Sequence, residues 1–151
     1  MYRVLLLNGP NLNLLGWRKP EVYGRVNLPE VLRQAHIEAT KLGCELEAKQ
    51  SNHEGDLIDW IQQAAIPTKA FNGIILNAGG LTHTSISLRD AVETACDCGV
   101  PTIEVHLSDI HTRDEFRHMS FLTKVCIAQI SGLGPDGYLV ALRKLIEHLQ
   151  K

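Results

Sequence analysis

Short apolar runs alternate with stretches of helical periodicity along the chain. Residues 2–7 are almost unbroken in apolar character, the pattern of a strand covered on both faces. Leu28, Val31, Leu32, Ala35, Ala39 and Leu42 then fall at helical spacing, with Asn27 and Glu30 placed as a capping box and Gly43 as the stop. Strict alternation over 44–49 puts Glu45, Glu47 and Lys49 on one face and predicts a half-exposed edge strand. Leu57, Ile58, Ile61, Ala64 and Ala65 form a second helical stripe that ends at Pro67. A short buried strand over 73–76 precedes a helix over 85–98, and strands four and five are predicted over 102–105 and 124–130. Gly134 and Pro135 open a last helix that carries Tyr138, Leu139, Leu142, Ile146 and Leu149 inward.

Five strands alternating with four helices predict one α/β domain over residues 1–151, a five-stranded parallel sheet with helices on both faces. An edge-like second strand beside a buried first strand selects a flavodoxin-like order, with strand one inside strand two. No repeat, low-complexity tract or linker interrupts the pattern. A chain of 151 residues can bury about 70% of its unfolded surface, enough for one core. The net charge of −2, with no basic block, gives no reason to expect nucleic acid or an anionic membrane as partner. No apolar stretch approaches the roughly 20 residues needed to span a bilayer. The first residues lack the long apolar core and cleavage site of an export signal, so the cytoplasm is the expected location. Cys44, Cys96, Cys98 and Cys126 contain no C-x-x-C pair and are expected to be reduced, structural thiols.

Ligands of such sheets bind beyond the carboxyl ends of the strands. The residues just after each predicted strand therefore matter most. Strand one runs into Asn8, Gly9, Pro10, Asn11 and a long stretch to Gly24; strand two runs into Gln50, Ser51, Asn52 and His53. Strand three leads into Asn77 and His83, strand four into His106, Leu107 and Ser108, and strand five into Ser131 and Gly132. Amides, histidines, Arg18 and Tyr23 thus gather on one edge. A nucleotide phosphate loop would need a Lys-Ser/Thr pair after its glycines, and none stands after Gly16. A phospho-acceptor domain would need carboxylates where Asn8 and Asn77 stand, a flavin loop would need hydroxyls after strand one, and no G-x-S-x-G elbow is present. His83, His106 and His111 could approach one another, but without H-x-x-x-H or a clustered carboxylate pair no metal is expected.

Acid–base chemistry remains. His106 leaves the end of a strand, and histidine as a residue type is the natural proton donor or acceptor near neutral pH; a structural histidine bonded to a backbone carbonyl is the alternative. Glu104 lies two residues earlier on the same strand, so both side chains share a face, and it could orient the imidazole or simply pair with a helix. Tyr23 and Arg18 share a loop over 17–25, with Trp17, Pro20 and Gly24, that could fold as a lid. Taken alone, Tyr23 reads first as a surface aromatic, because a phenol ionises near pH 10. A guanidinium about 4 Å away contributes about 4 kcal/mol at an effective dielectric of about 20. Half of that would bring the phenol well towards neutrality, since one pKa unit is about 1.4 kcal/mol.

The segments L-N-G-P-N-L-N-L-L-G-x-R-x-P-x-x-Y-G, Q-S-N-H-E-G-x-L-I-D, T-H-T-S-x-x-L-R-D-A and E-V-H-L-S-x-x-x-x-R-x-x-F-R occur in this order between Val4 and Leu142. Together they closely resemble type II 3-dehydroquinate dehydratase. The resemblance implies a flavodoxin-like fold and anti elimination of water from 3-dehydroquinate through an enolate, without cofactor or metal, in the shikimate pathway or in quinate breakdown. By position it makes Tyr23 the base, Arg18 the residue that lowers its pKa, and His106 the acid with Glu104 as its partner. Asn11 would hold a water against the enolate. Asn77, His83 and Arg117 would contact substrate hydroxyls, Leu107 and Ser108 would cradle the carboxylate, and Arg113 would support the lid. Asp90 would reach a neighbouring subunit's site within a homo-oligomer, a dodecamer built from trimers.

The chain departs from the family pattern in three places. Ala78, Gly80 and Leu81 stand in a loop where family members commonly read N-P-G-A-Y-T-H, which implies a looser loop. Asp109 replaces an asparagine beside the carboxylate cradle and would oppose an anionic substrate unless it points away or pairs with an arginine such as Arg113. Lys19 stands where glutamate is common. An enzyme of the same scaffold acting on a related hydroxylated acid, and a non-catalytic binding module, are the two alternatives. A substrate screen separates the first, and the Tyr23, Arg18 and His106 set argues against the second.

Overall fold

The computed structural model describes residues 1–151, Tyr23 by its backbone alone. Among the described residues, β1 (Arg3–Asn8), β2 (Glu45–Gln50), β3 (Gly73–Asn77), β4 (Thr102–His106) and β5 (Ala128–Ser131) form one sheet. Every neighbouring pair is parallel and the order is β2-β1-β3-β4-β5, a flavodoxin-like arrangement. The register pairs Asn8 with both Gln50 and Asn77, and His106 with Ser131. Polar strand-end residues are thereby set side by side on one edge.

Alternation along the strands divides the core in two. Val4, Leu6, Ile75, Ile103 and Val105 pack under α2 (Leu28–Lys41) and α5 (Asp136–Leu149). Leu5, Leu7, Ile74 and Leu76 face α3 (Glu54–Ala65) and α4 (Ile86–Asp97). Each fully buried leucine or isoleucine here contributes about 1.5–3 kcal/mol of transfer free energy. The remaining helix, α1 (Pro20–Tyr23), is a single turn in the loop after β1.

The helix ends follow the side-chain chemistry at their starts. Asn27 Oδ1 accepts the Glu30 N–H at 3.0 Å and Ser85 Oγ accepts the Leu88 N–H at 2.9 Å. The capping box is only half made, because the Glu30 carboxylate turns forward to Arg33, 2.8 Å away. Two expectations shift. β5 begins at Ala128 rather than 124, because residues Thr123–Val125 close into a 3-10 turn. On α5 the inward stripe is Tyr138, Ala141, Leu142, Leu145 and Ile146, with Leu149 partly buried beside it; Leu139 lies one helical step off that stripe. No helix of the described residues is long and apolar enough to cross a membrane. The four cysteines are unpaired.

Candidate active site

Two loops meet at the carboxyl edge because glycine lets their backbones touch. The Gly9 N–H donates to the Asn77 carbonyl at 2.8 Å, and a Cβ at Gly9 would lie 2.5 Å from the Ala78 carbonyl oxygen. Asn11 then takes a left-handed conformation, φ 70°, which asparagine tolerates. Its N–H donates to Asn52 Oδ1 at 3.0 Å, while Gln50 Nε2 donates to that same oxygen at 3.1 Å and to the Gly9 carbonyl at 3.2 Å. Gln50 and Asn52 therefore brace Asn11 from β2. The sequence signal for them was the amide-rich run directly after the second strand.

Beneath these loops lies a buried amide–phenol network. The Tyr138 hydroxyl donates to Asn8 Oδ1 at 2.5 Å and accepts from Asn77 Nδ2 at 2.9 Å, while Asn77 Oδ1 accepts the Gly79 N–H at 3.2 Å. Burial pushes the Tyr138 phenol far above its ordinary value, so it stays protonated as this donor. Tyr138→Phe leaves a buried acceptor and a buried donor unpaired. It is expected to destabilise the fold by about 1–3 kcal/mol, read as a lower urea midpoint at an unchanged denaturant slope.

The pocket above this network is lined by Asn11, Arg18, Asn77, His83, His106 and Ser108, with Leu107, Arg113 and Arg117 completing its wall. It joins the ends of β1, β3 and β4. Among the described residues, three guanidinium groups and no carboxylate line it, which favours an anionic ligand. Arg113 Nη1 donates to Ser108 Oγ at 3.1 Å. Arg117 lies 3.5 Å from Asp114 and 5.0 Å above the Phe116 ring, and its Nε is buried without a hydrogen bond among the described residues.

His106 is almost fully buried at the pocket wall, and its Nε2 is hydrogen-bonded to Glu104 Oε2. Glu104 has no solvent exposure. Burial opposes its ionisation, but the bond and charge of His106, with hydroxyls from Ser120 and Thr123, hold its carboxyl below the usual carboxylate range. With Nε2 committed to Glu104, Nδ1 is the ring nitrogen left for a ligand. His83 is the complementary case. Its Nδ1 lies 2.7 Å from the Met119 carbonyl, which can only accept, so that nitrogen carries the proton. Desolvation, opposed by that bond and reinforced by the charges of His106 and Arg117, lowers the His83 pKa and leaves Nε2 an acceptor at neutral pH.

Asn11, Arg18, Asn77, His83, His106, Leu107, Ser108, Arg113 and Arg117 are thus brought to one pocket, with Glu104 behind His106. The Tyr23 side chain lies outside the described residues; its backbone ends α1, five residues beyond Arg18. Asp109 takes no part in the lining. Its Oδ1 accepts the His111 N–H at 2.9 Å and lies 3.1 Å from His111 Nδ1, contacts that hold its carboxyl below the usual range. The added charge is therefore turned onto His111 instead of the cradle. Asp90 is exposed in the second turn of α4, beyond a first turn that contains no acidic residue. It lines a separate groove between α3 and α4 with Ile58, Gln62, Ile66 and Thr94, apart from the pocket of its own chain. Among the described residues, no group of three or more His, Cys, Asp or Glu side chains is placed to hold a metal ion.

The family model of class II dehydroquinases matches residues 2–146. A 3-dehydroquinate dehydratase of Endomicrobium trichonymphae is 51% identical over 146 residues, spanning 97% of this chain and 98% of its own. That of Halothermothrix orenii is 47% identical over 151 residues, spanning 100% and 98%. Among solved structures, the type II dehydroquinase of Butyrivibrio crossotus matches with a TM-score of 0.91 at 40% identity, covering 95% of this chain and 97% of that one. A 3-dehydroquinate dehydratase-like protein of Bifidobacterium longum matches with a TM-score of 0.74 at 26% identity, covering the whole of both chains.

Proposed function

Because the chain belongs to the class II dehydroquinase family, we propose that it is a hydro-lyase that converts 3-dehydroquinate to 3-dehydroshikimate with its own side chains, requiring neither metal nor cofactor. One observation carries this reading beyond the family. His106, backed by a buried carboxylate, opens on a pocket whose permanently charged groups, among the described residues, are all arginine.

In the proposed reaction the Tyr23 phenolate, favoured by the charge of Arg18, removes the proton from C2. The electron pair moves to the C3 carbonyl oxygen, and a water held by Asn11 donates to the resulting enolate. As the enolate collapses, the C1–oxygen bond breaks and His106 gives its Nδ1 proton to the departing hydroxyl, which leaves as water. Glu104 offsets the imidazolium charge before that transfer. The neutral His106 and protonated Tyr23 then exchange one proton with solvent, which resets the site. Leu107 and Ser108 supply backbone and hydroxyl donors to the substrate carboxylate, with Arg113 fixing the Ser108 hydroxyl from the lid side. Asn77, His83 and Arg117 take the ring hydroxyls, His83 through the unprotonated Nε2. The assembly is a homo-oligomer, a dodecamer of trimers, in which Asp90 serves an adjacent site.

Incubating the purified protein with 3-dehydroquinate should produce the absorbance of the conjugated enone, and related hydroxylated acids should not compete as substrates. No rise in absorbance with folded protein sinks the reading. Activity is further expected to survive EDTA, and borohydride added with substrate should leave no covalent adduct on any of the seven lysines. Lys124, the lysine to watch for an imine, is exposed in the turn before β5 and away from the pocket. An adduct by mass spectrometry would replace the proposed route with an imine mechanism.

A further inference from the structure

Behind the Glu104–His106 pair, two hydroxyls each accept from an amide that can only donate. Ser120 Oγ accepts the Leu122 backbone N–H at 3.0 Å, and Thr123 Oγ1 accepts from Gln129 Nε2 at 3.0 Å. Each hydroxyl has a single proton, and each points it at Glu104: Ser120 to Oε2 at 2.6 Å, Thr123 to Oε1 at 2.8 Å. Two hydroxyl protons aimed at the carboxyl favour its ionised form, which can only accept. It is therefore an acceptor towards His106 as well.

The chain path places these hydroxyls. The Phe121 N–H is tied to the Thr82 carbonyl at 2.9 Å, in the loop that carries His83, and Gln129 faces Glu104 across the β4–β5 register. Neither Ser120 nor Thr123 lines the pocket.

We infer that Ser120 and Thr123 are positioning residues for the proposed dehydration, which commit the Glu104 carboxylate to the Nε2 proton of His106 and so reserve the Nδ1 proton for the leaving hydroxyl. The inference rests on the reading of His106 as the acid. It adds that the orientation of the ring, and the tautomer of its neutral form, are set by two hydroxyls some 16 and 19 residues downstream of Glu104. The titratable groups that face Glu104 are His106 on its own strand, His83 from the loop after β3, and Cys126 beyond the Thr123 turn. Burial keeps the Cys126 thiol neutral and lowers the His83 pKa, so neither competes with His106 for the Glu104 carboxylate.

The test uses Ser120→Ala with Thr123→Val, both singles, and the hydroxyl-preserving Ser120→Thr and Thr123→Ser. The double variant should lose about 10–100-fold in kcat, the range typical of partners that orient a functional histidine, with KM changed less than about twofold. Its acid limb should move to higher pH, because a Glu104 carboxyl deprived of two donors protonates sooner as pH falls. Nitrogen-15 spectra of ring-labelled protein, taken where the His106 ring is neutral, should show the Nε2 proton retained in the wild type and a mixture of tautomers in the double variant. The hydroxyl-preserving variants should retain kcat. If the double variant does not fold, the single variants and Gln129→Met, which removes the donor that orients the Thr123 hydroxyl, carry the same readouts at smaller size. A folded double variant with wild-type kcat, acid limb and tautomer overturns the inference, as does a loss that lies wholly in KM. His106→Asn separates the two levels: if it remains active, the acid assignment fails and the inference with it. If it is inactive while the double variant is unchanged, only the role of the hydroxyls fails.

Discussion

Tyr23→Phe is expected to lower kcat by about 10²–10⁴-fold, the contribution of a general base, while a product-like acid binds with nearly unchanged affinity. The carboxylate and hydroxyl contacts assigned to Leu107, Ser108, Asn77 and His83 do not involve the phenol, so binding should persist when the base is removed. Arg18 sharpens the test. It lines the pocket together with His106 and stands five residues before Tyr23 on the same loop. Without its charge the phenol should return towards its ordinary pKa of about 10. The base must be ionised to act, so Arg18→Ala should move the rising limb of the kcat profile to higher pH and recover part of the rate in alkaline buffer. Isothermal titration with a product analogue and the pH dependence of kcat check the two parts. Near wild-type turnover by Tyr23→Phe would falsify the assignment.

How far the sequence carried depends on whether a feature is local. The sheet order was legible because Glu45, Glu47 and Lys49 mark an edge strand while 2–7 reads as covered on both faces. The pocket was legible because each polar strand end is local and the parallel sheet places all of them on one side. Tyr138 shows the limit. Its spacing on α5 identified it as a core residue, but nothing local says that its hydroxyl meets Asn8 and Asn77, 130 and 61 positions away. Ser120 and Thr123 were missed for the same reason, and the error at β5 has the same source. Lys124 to Ile130 is an apolar run of strand-like composition, but the contact of Thr123 with Glu104 accompanies a turn over Thr123–Val125, and pairing with β4 starts only at Ala128. Asp109 was a departure whose consequence could not be read from charge alone, since it depends on a hydrogen bond to His111.

Unfolding Tyr23→Phe and Asp90→Asn together and refolding them as mixed oligomers is expected to restore activity to about a quarter of the wild-type level, although each protein alone is nearly inactive. The fraction comes from a site that takes Tyr23 from one chain and Asp90 from the next. In an equal mixture half of the sites carry an intact tyrosine, and half of those face an intact aspartate across a symmetric interface. Three features of the single chain motivate the experiment. Asp90 is exposed on the α3–α4 side and lines a groove with Ile58 and Ile66, so it cannot serve its own pocket from there. It lies beyond the first turn of α4, where the helix dipole would have given it a simpler role. Arg117, at the pocket wall, has a buried Nε that no described residue hydrogen-bonds, and its ion pair with Asp114 is long at 3.5 Å. A carboxylate arriving from a neighbour would complete that guanidinium and help exclude water from the site. Mixing must be shown independently, for example by native mass spectrometry of differently tagged chains. If mixed oligomers form and activity remains that of the separate variants, Asp90 acts only within its own chain and the site is complete in one subunit.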